Sequence, residues 1–181
     1  MSLAAFAILL GAGIAAGDAP RAVCTDELFR IERSKNANVV VYELRRGPDG
    51  RIDRAQPIRA SWIMLAVGGE REDLNFLERT LAYGFEVKDA EPRDGWILTL
   101  KAEKKRPLSV REVAGCTYAM VTIGGREGAL RRIYVKADDR QLIPPIEYVE
   151  VFGVDPTSGA ARYERIVPAP PQEEQPAWKG L

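Results

Sequence analysis

From Leu28 onward the chain is written largely in period two. Leu28 to Arg33 places Phe29 and Ile31 on one side of an extended segment, Val39 to Arg45 does the same with Val40, Tyr42 and Leu44, and Trp96 to Ala102 aligns Trp96, Leu98 and Leu100. Such alternation fits a half-buried strand. Further apolar or β-branched runs follow at Ala60 to Val67, Phe85 to Lys88, Leu108 to Val113, Thr117 to Ile123, Leu130 to Lys136, Ile146 to Gly153 and Arg162 to Val167. Turn chemistry separates them. Ser34 to Asn38 is expected to be a hairpin loop whose asparagines tolerate positive φ, and Gly47-Pro48-Asp49-Gly50 and Asp155 to Gly159 are further reversals. Lys101 to Arg106 reads as a charged hairpin tip that discourages edge pairing.

One segment breaks the period. Asn75 followed by Glu78 is a capping-box pair, Leu77 and Leu81 supply a stripe to be buried, and Gly84 is placed to end the helix in the left-handed conformation. The spacing predicts a short helix from about Asn75 to Tyr83. Roughly ten strands and a single helix make the fold mainly β, an antiparallel sandwich or barrel, with the sandwich preferred.

Ahead of the strands, Leu3 to Gly17 is apolar and uncharged and ends in the small residues Ala15-Ala16-Gly17. It is shorter than the ~20 residues a membrane-crossing helix needs, so residues 1–17 are expected to be a signal peptide. The expected destination is the periplasm or the exterior, with no transmembrane domain after cleavage of the leader. Residues 18–167 then form a single domain, which leaves 168–181 as a Pro-rich flexible tail containing Trp178. Cys24 and Cys116 are the only cysteines. In an oxidising compartment they are expected to pair, the alternative being two separate buried thiols.

The chain contains no histidine, which removes the usual general base and the commonest transition-metal ligand. Lysine plus arginine and aspartate plus glutamate both number 26, so there is no net field to attract nucleic acid. Gly124-Gly125-Arg126-Glu127-Gly128 has neither dinucleotide-binding nor P-loop spacing. Asp49 to Asp53 and Asp138-Asp139 lack the ligand positions of a calcium loop. No cofactor, metal or catalytic residue is assigned.

Two segments carry more polar side chains than strand building needs. Arg30, Glu32, Arg33, Ser34, Lys35, Asn36 and Asn38 surround the first hairpin, and Arg71, Glu72, Asp73, Asn75, Glu78, Arg79 and Tyr83 surround the helix. Guanidinium forks and amides suit carboxylate, phosphate or hydroxyl ligands. The expectation is a non-enzymatic exported domain that binds an envelope ligand or protein through Arg30, Arg33, Ser34, Lys35, Asn36, Asn38, Asn75, Glu78, Arg79 and Tyr83. Two alternatives stand beside it: a carboxylate-dependent envelope enzyme acting on a saccharide or cell-wall substrate, and a structural envelope interaction module.

The segments Leu28-Phe29-Arg30-Ile31-Glu32-Arg33-Ser34-Lys35-Asn36-Ala37-Asn38, Trp62-Ile63-Met64-Leu65 and Leu74-Asn75-Phe76-Leu77-Glu78-Arg79-Thr80-Leu81-Ala82-Tyr83-Gly84 resemble the bacterial family called domain of unknown function 4833. The resemblance spans most of Leu28 to Val167. It implies neither an activity nor site residues.

Overall fold

The computed structural model describes residues 24–92, 94–137 and 145–168. The leader, the Asp138-Asp139 pair and the tail from residue 169, with Trp178, lie outside the described residues. Eleven strands form one sheet: β1 (Glu27–Arg33), β2 (Asn36–Leu44), β3 (Ile58–Met64), β4 (Glu70–Asp73), β5 (Phe85–Asp89), β6 (Gly95–Leu100), β7 (Glu103–Val113), β8 (Cys116–Ile123), β9 (Arg126–Ala137), β10 (Ile146–Val154) and β11 (Ala161–Ile166).

The strand that organises them is β9. Ala129 pairs with Met120 of β8 on one edge and Val154 of β10 on the other. β10 keeps its edge as far as Ala137. The parallel partner of Arg132 to Val135, which is Arg30 to Arg33 of β1, must therefore lie on the edge that β8 has vacated. One edge of a single strand thus serves two neighbours in succession. The sheet splits there into two wings, β1-β2-β3-β4 and β8-β7-β6-β5, while β10 and β11 extend the opposite edge. Every other pairing is antiparallel, as the short turns require.

The core lies between the wings. Phe29, Val40 and Tyr42 from one wing belong to the same buried cluster as Leu98, Val110 and Ala119 from the other. The Phe29 and Tyr42 rings stack at 4.5 Å and 11°. β2 is covered on both faces, because Val41 and Glu43, opposite the core side, are as buried as Val40 and Tyr42. The Glu43 carboxylate is held by Arg71 from β4 at 2.6 and 3.0 Å and by Arg59 from β3 at 2.5 Å. A buried charge needs partners of this kind. Cys24 and Cys116 are joined, with Cα atoms 5.4 Å apart, so the expected bridge is present and the reading of two separate thiols falls.

Several local expectations change. The run Ala60 to Val67 does not stay extended: β3 stops at Met64, and Leu65–Val67 forms a 3-10 turn closed by Gly68 at φ 93°. β4, with the sequence ERED, carries no apolar alternation to announce it. The first hairpin turns over Ser34-Lys35 alone, and the positive φ falls on Lys35 (60°) rather than on an asparagine. β7 begins at Glu103, so only Lys101-Ala102 remain as the tip.

The helix departs furthest from its reading. The capping box forms, with Asn75 N–H donating to Glu78 at 2.8 Å and Glu78 N–H to Asn75 Oδ1 at 3.0 Å. The regular helix then widens over Glu78–Ala82, where Tyr83 N–H reaches back five residues to the Glu78 carbonyl at 2.8 Å. In such a wide turn, residues four apart no longer stack on one face, and Leu77 and Leu81 are exposed rather than buried. Gly84 is not in the left-handed conformation. It is needed for room, since a Cβ there would lie 1.7 Å from the Arg79 carbonyl oxygen.

Candidate functional site

The polar residues of the first hairpin are largely engaged in holding the backbone. Arg30 and Arg33 are three apart on one strand and so lie on opposite faces of the sheet. Arg30 donates to the Glu27 carboxylate through Nε at 2.8 Å and Nη2 at 2.9 Å. Ser34 is buried, donates its hydroxyl to the Ala137 carbonyl at 3.3 Å and accepts the Ala137 N–H at 3.1 Å. Asn36 Oδ1 accepts the Asn38 N–H at 2.9 Å, and Asn38 Oδ1 accepts the Ala66 N–H at 3.2 Å. Lys35 occupies the strained corner of the turn. These side chains terminate strands and fix turns, as short amides and hydroxyls commonly do.

Arg33 has a different role, because the structure brings it to the helix. Its guanidinium lies near enough to the Tyr83 hydroxyl to act on its proton. The Tyr83 ring meets Trp62 edge to face at 5.2 Å, and its carbonyl accepts the Tyr42 hydroxyl at 2.7 Å. Burial raises the Tyr83 hydroxyl above the ordinary tyrosine range; the nearby Arg33 guanidinium pulls it down, and the Glu78 charge adds to the rise. Tyr42, deeper still, is raised by burial first and by Tyr83 second. The hairpin and the helix, separate in sequence, therefore meet at Arg33, Tyr83 and Trp62. Asn75 and Glu78 serve as the cap. Among the described residues no carboxylate pairs with Arg79.

What remains at the helix surface is apolar. Phe76 is 79% exposed, Leu77 65% and Leu81 71%, while Leu74 before the helix is buried and Tyr83 after it is half-buried. The element is anchored at both ends and presents three large hydrophobic side chains to solvent. The sequence pattern marked Leu77 and Leu81, but as core, and did not single out Phe76.

Two other assemblies were not legible as sites. On the outer face of β9, β10 and β11, Arg132 sits over the Phe152 ring at 4.0 Å, Arg165 over Tyr148 at 3.6 Å, and the Tyr163 hydroxyl donates to Glu150 at 2.8 Å. Arg132, Phe152 and Tyr163 share one row and Tyr134, Glu150 and Arg165 the next. Here ring faces are already covered by guanidinium groups of the same chain, a cation–π arrangement that braces the sheet edge. The second assembly is a cleft of about 840 Å³ between the loop Gly47 to Arg54 and Trp96. Its two carboxylates are not a bare facing pair: Asp49 Oδ1 accepts the Arg51 N–H at 3.0 Å, and Asp53 Oδ1 accepts the Ala55 N–H at 2.9 Å. Among the described residues no cluster of three metal-ligating side chains occurs, and no helix is long and apolar enough to cross a membrane.

Residues 29–165 match the family model described as domain of unknown function (DUF4833), and the chain belongs to that family. No curated protein and no solved structure matches it.

Proposed function

We propose that this member of the family is a non-catalytic, exported binding domain that takes a protein partner on its Glu78–Ala82 helix. One observation carries the reading: Phe76, Leu77 and Leu81 are 79%, 65% and 71% exposed on an element held in place by its capping box and by Tyr83. Large apolar side chains gathered on a fixed, exposed element mark contact surfaces. Burying them against a partner gains on the order of 1.5–3 kcal/mol each, and a rigid element loses little order on binding. A protein is favoured over a small polar ligand because the exposed surface here is chiefly apolar and Asn75 and Glu78 beside it are already bonded to each other. Export rests on the apolar leader, and the Cys24–Cys116 bridge supports it, since such bridges persist in oxidising compartments.

The test is site-specific photo-crosslinking in the producing cell. A photoreactive residue at Leu77 or Leu81 is expected to give a discrete protein adduct, and one at Lys104 on the far hairpin is expected to give none. Replacing Phe76, Leu77 and Leu81 by serine should abolish the adduct from a probe at Arg79 while leaving the melting temperature within about 2 °C, because exposed positions contribute little to folding. Equal labelling at Leu77 and Lys104, or an adduct that survives the triple replacement, would remove the helix as the contact surface.

A further inference from the structure

The chain leaves its last strand at the end of the sheet that holds the helix. Ile166 of β11 pairs with Val149 of β10, Val149 with Val135 of β9, and Val135 with Arg33 of β1, so the four form one row across the sheet. Three strand spacings of about 4.8 Å separate Ile166 from Arg33, roughly 14 Å. Arg33 approaches Tyr83, which directly follows the Glu78–Ala82 turn.

The row is apolar and incompletely covered. Residues paired directly across strands share a face, and Val135 and Val149 are half-buried against the core, while Ile166 and Val167 are exposed. Beyond Arg33 the half-buried rings of Tyr83 and Trp62 continue the surface. An apolar lane thus runs from the exit of β11 to the helix that displays Phe76, Leu77 and Leu81.

The residues that come next suit this lane. They read Ala169-Pro170-Pro171-Gln172-Glu173-Glu174-Gln175-Pro176-Ala177-Trp178-Lys179-Gly180-Leu181. Trp178 stands eleven residues beyond Val167, a reach of about 34 Å at ~3.1 Å per residue for an extended proline-rich segment. That is more than twice the distance from Ile166 to Arg33, so the indole can pass Arg33 and arrive at the helix. The charges match as well. Arg79, on the helix, has no carboxylate partner among the described residues, and Glu173 and Glu174 precede Trp178 by only a few positions. A proline-rich tether also loses little freedom when it is laid down.

We infer that residues 169–181 lie back along this row, with Trp178 on Leu77 and Leu81 and Glu173 or Glu174 on Arg79, and that the protein partner must displace them. The displacement rests on the helix being the partner's surface; the docking does not. A tether of this length holds the indole at a millimolar effective concentration. A contact with a dissociation constant of about 0.1 mM then keeps the surface roughly nine-tenths covered, and deleting the tail raises the partner's apparent affinity about tenfold.

A diazirine-bearing residue at Leu81 of the purified full chain, irradiated and mapped by mass spectrometry after proteolysis, tests the docking. The adduct is expected to join that position to a peptide from residues 169–181, with a yield independent of protein concentration. Trp178→Ala should lower it about tenfold, and the same probe at Lys104 should join none of it. The family match ends at residue 165, so this variant leaves the domain itself unchanged, and its melting temperature should equal the parent's. No adduct to the tail, a yield that rises with concentration and so reports a second copy on the helix, or a yield that Trp178→Ala does not alter would each overturn the docking. Displacement is read in the producing cell, where deleting residues 169–181 should increase the partner adduct from the Leu77 probe several-fold. A partner adduct that the deletion leaves unchanged would overturn the competition. A tail adduct in the purified chain with no partner adduct in the cell would instead remove the partner reading and keep the docking.

Discussion

Replacing Gly84 by alanine is a test of how the helix is seated. An alanine Cβ would lie 1.7 Å from the Arg79 carbonyl oxygen, half the 3.4 Å at which ordinary contact begins, and 2.8 Å from the Arg79 carbonyl carbon. Gly84 cannot retreat freely, because its own carbonyl accepts the Lys101 N–H at 2.9 Å. The helix must move instead. Moving it strains the bond from the Tyr42 hydroxyl to the Tyr83 carbonyl and the edge contact of Tyr83 with Trp62. Overpacking of this kind costs roughly 1–3 kcal/mol, and a weakened buried hydrogen bond adds about 1 kcal/mol. Against this stands the 0.4–1 kcal/mol by which alanine restricts the unfolded chain. The net expectation is destabilisation by about 2 kcal/mol, or a melting temperature lowered by roughly 4–8 °C for a domain of this size. Thermal melting by circular dichroism measures the total, and hydrogen exchange at Arg79 and Tyr83, whose N–H groups are bonded within the turn, shows whether the loss is local. A variant as stable as the parent, with protection at those amides unchanged, would refute the packing argument.

The bridge between Cys24 and Cys116 closes a sequence separation of 92 residues, so the pair of changes Cys24→Ser and Cys116→Ser should cost about 4–5 kcal/mol on the chain-entropy account. Urea unfolding of the variant against the oxidised parent measures it, and superimposed curves would show that the loop is not what the bridge constrains. For Glu164, burial raises the carboxyl, but the hydrogen bond from Arg106, the Gly124 N–H and the Arg106 charge together outweigh it and hold the group below its ordinary 4.5. A folded-state value below the unfolded one adds stability that is present above pH 4.5 and is lost as the pH falls through the folded value. The stability difference between the parent and Glu164→Gln should accordingly stay level above pH 4.5 and shrink below it; a difference that stays constant into acid would exclude the ion pair as its source.

The parts of the fold that could be read from sequence are those where a single period decides the outcome. Phe29, Ile31, Val40, Tyr42, Leu98 and Leu100 all lie in the core where alternation put them, and the Asn75–Glu78 cap forms as the spacing required. What could not be read depends on contacts far apart in the chain. Nothing in residues 30–33 or 132–135 announces that they run parallel side by side. Leu77 and Leu81 illustrate the limit more sharply: their spacing is correct for a buried stripe, yet the turn widens and tertiary packing engages Leu74 and Tyr83 instead. Of the candidate site residues, Arg33 and Tyr83 are brought together, while Arg30 points to the opposite face and Ser34 is spent on β9. Trp96 entered the sequence reading as a core residue, correctly.

The partner exchange along one edge of β9 also bears on the order in which the chain can fold. The hairpins β1–β2, β2–β3, β6–β7 and β7–β8 are local and can form as soon as their residues are available. The hydrogen-bonded sheet of the two wings is completed only by β9, because β9 is the strand that pairs with both. The contacts of β1 with β9 span about a hundred residues, and pairings of that range carry a large entropic cost before they return any stability. On that ground the pairing of β9 with β1 is expected to follow the local hairpins. A chain cut short before Arg126 would keep the Cys24–Cys116 link between its two wings but lack the one strand whose edges carry both sheets.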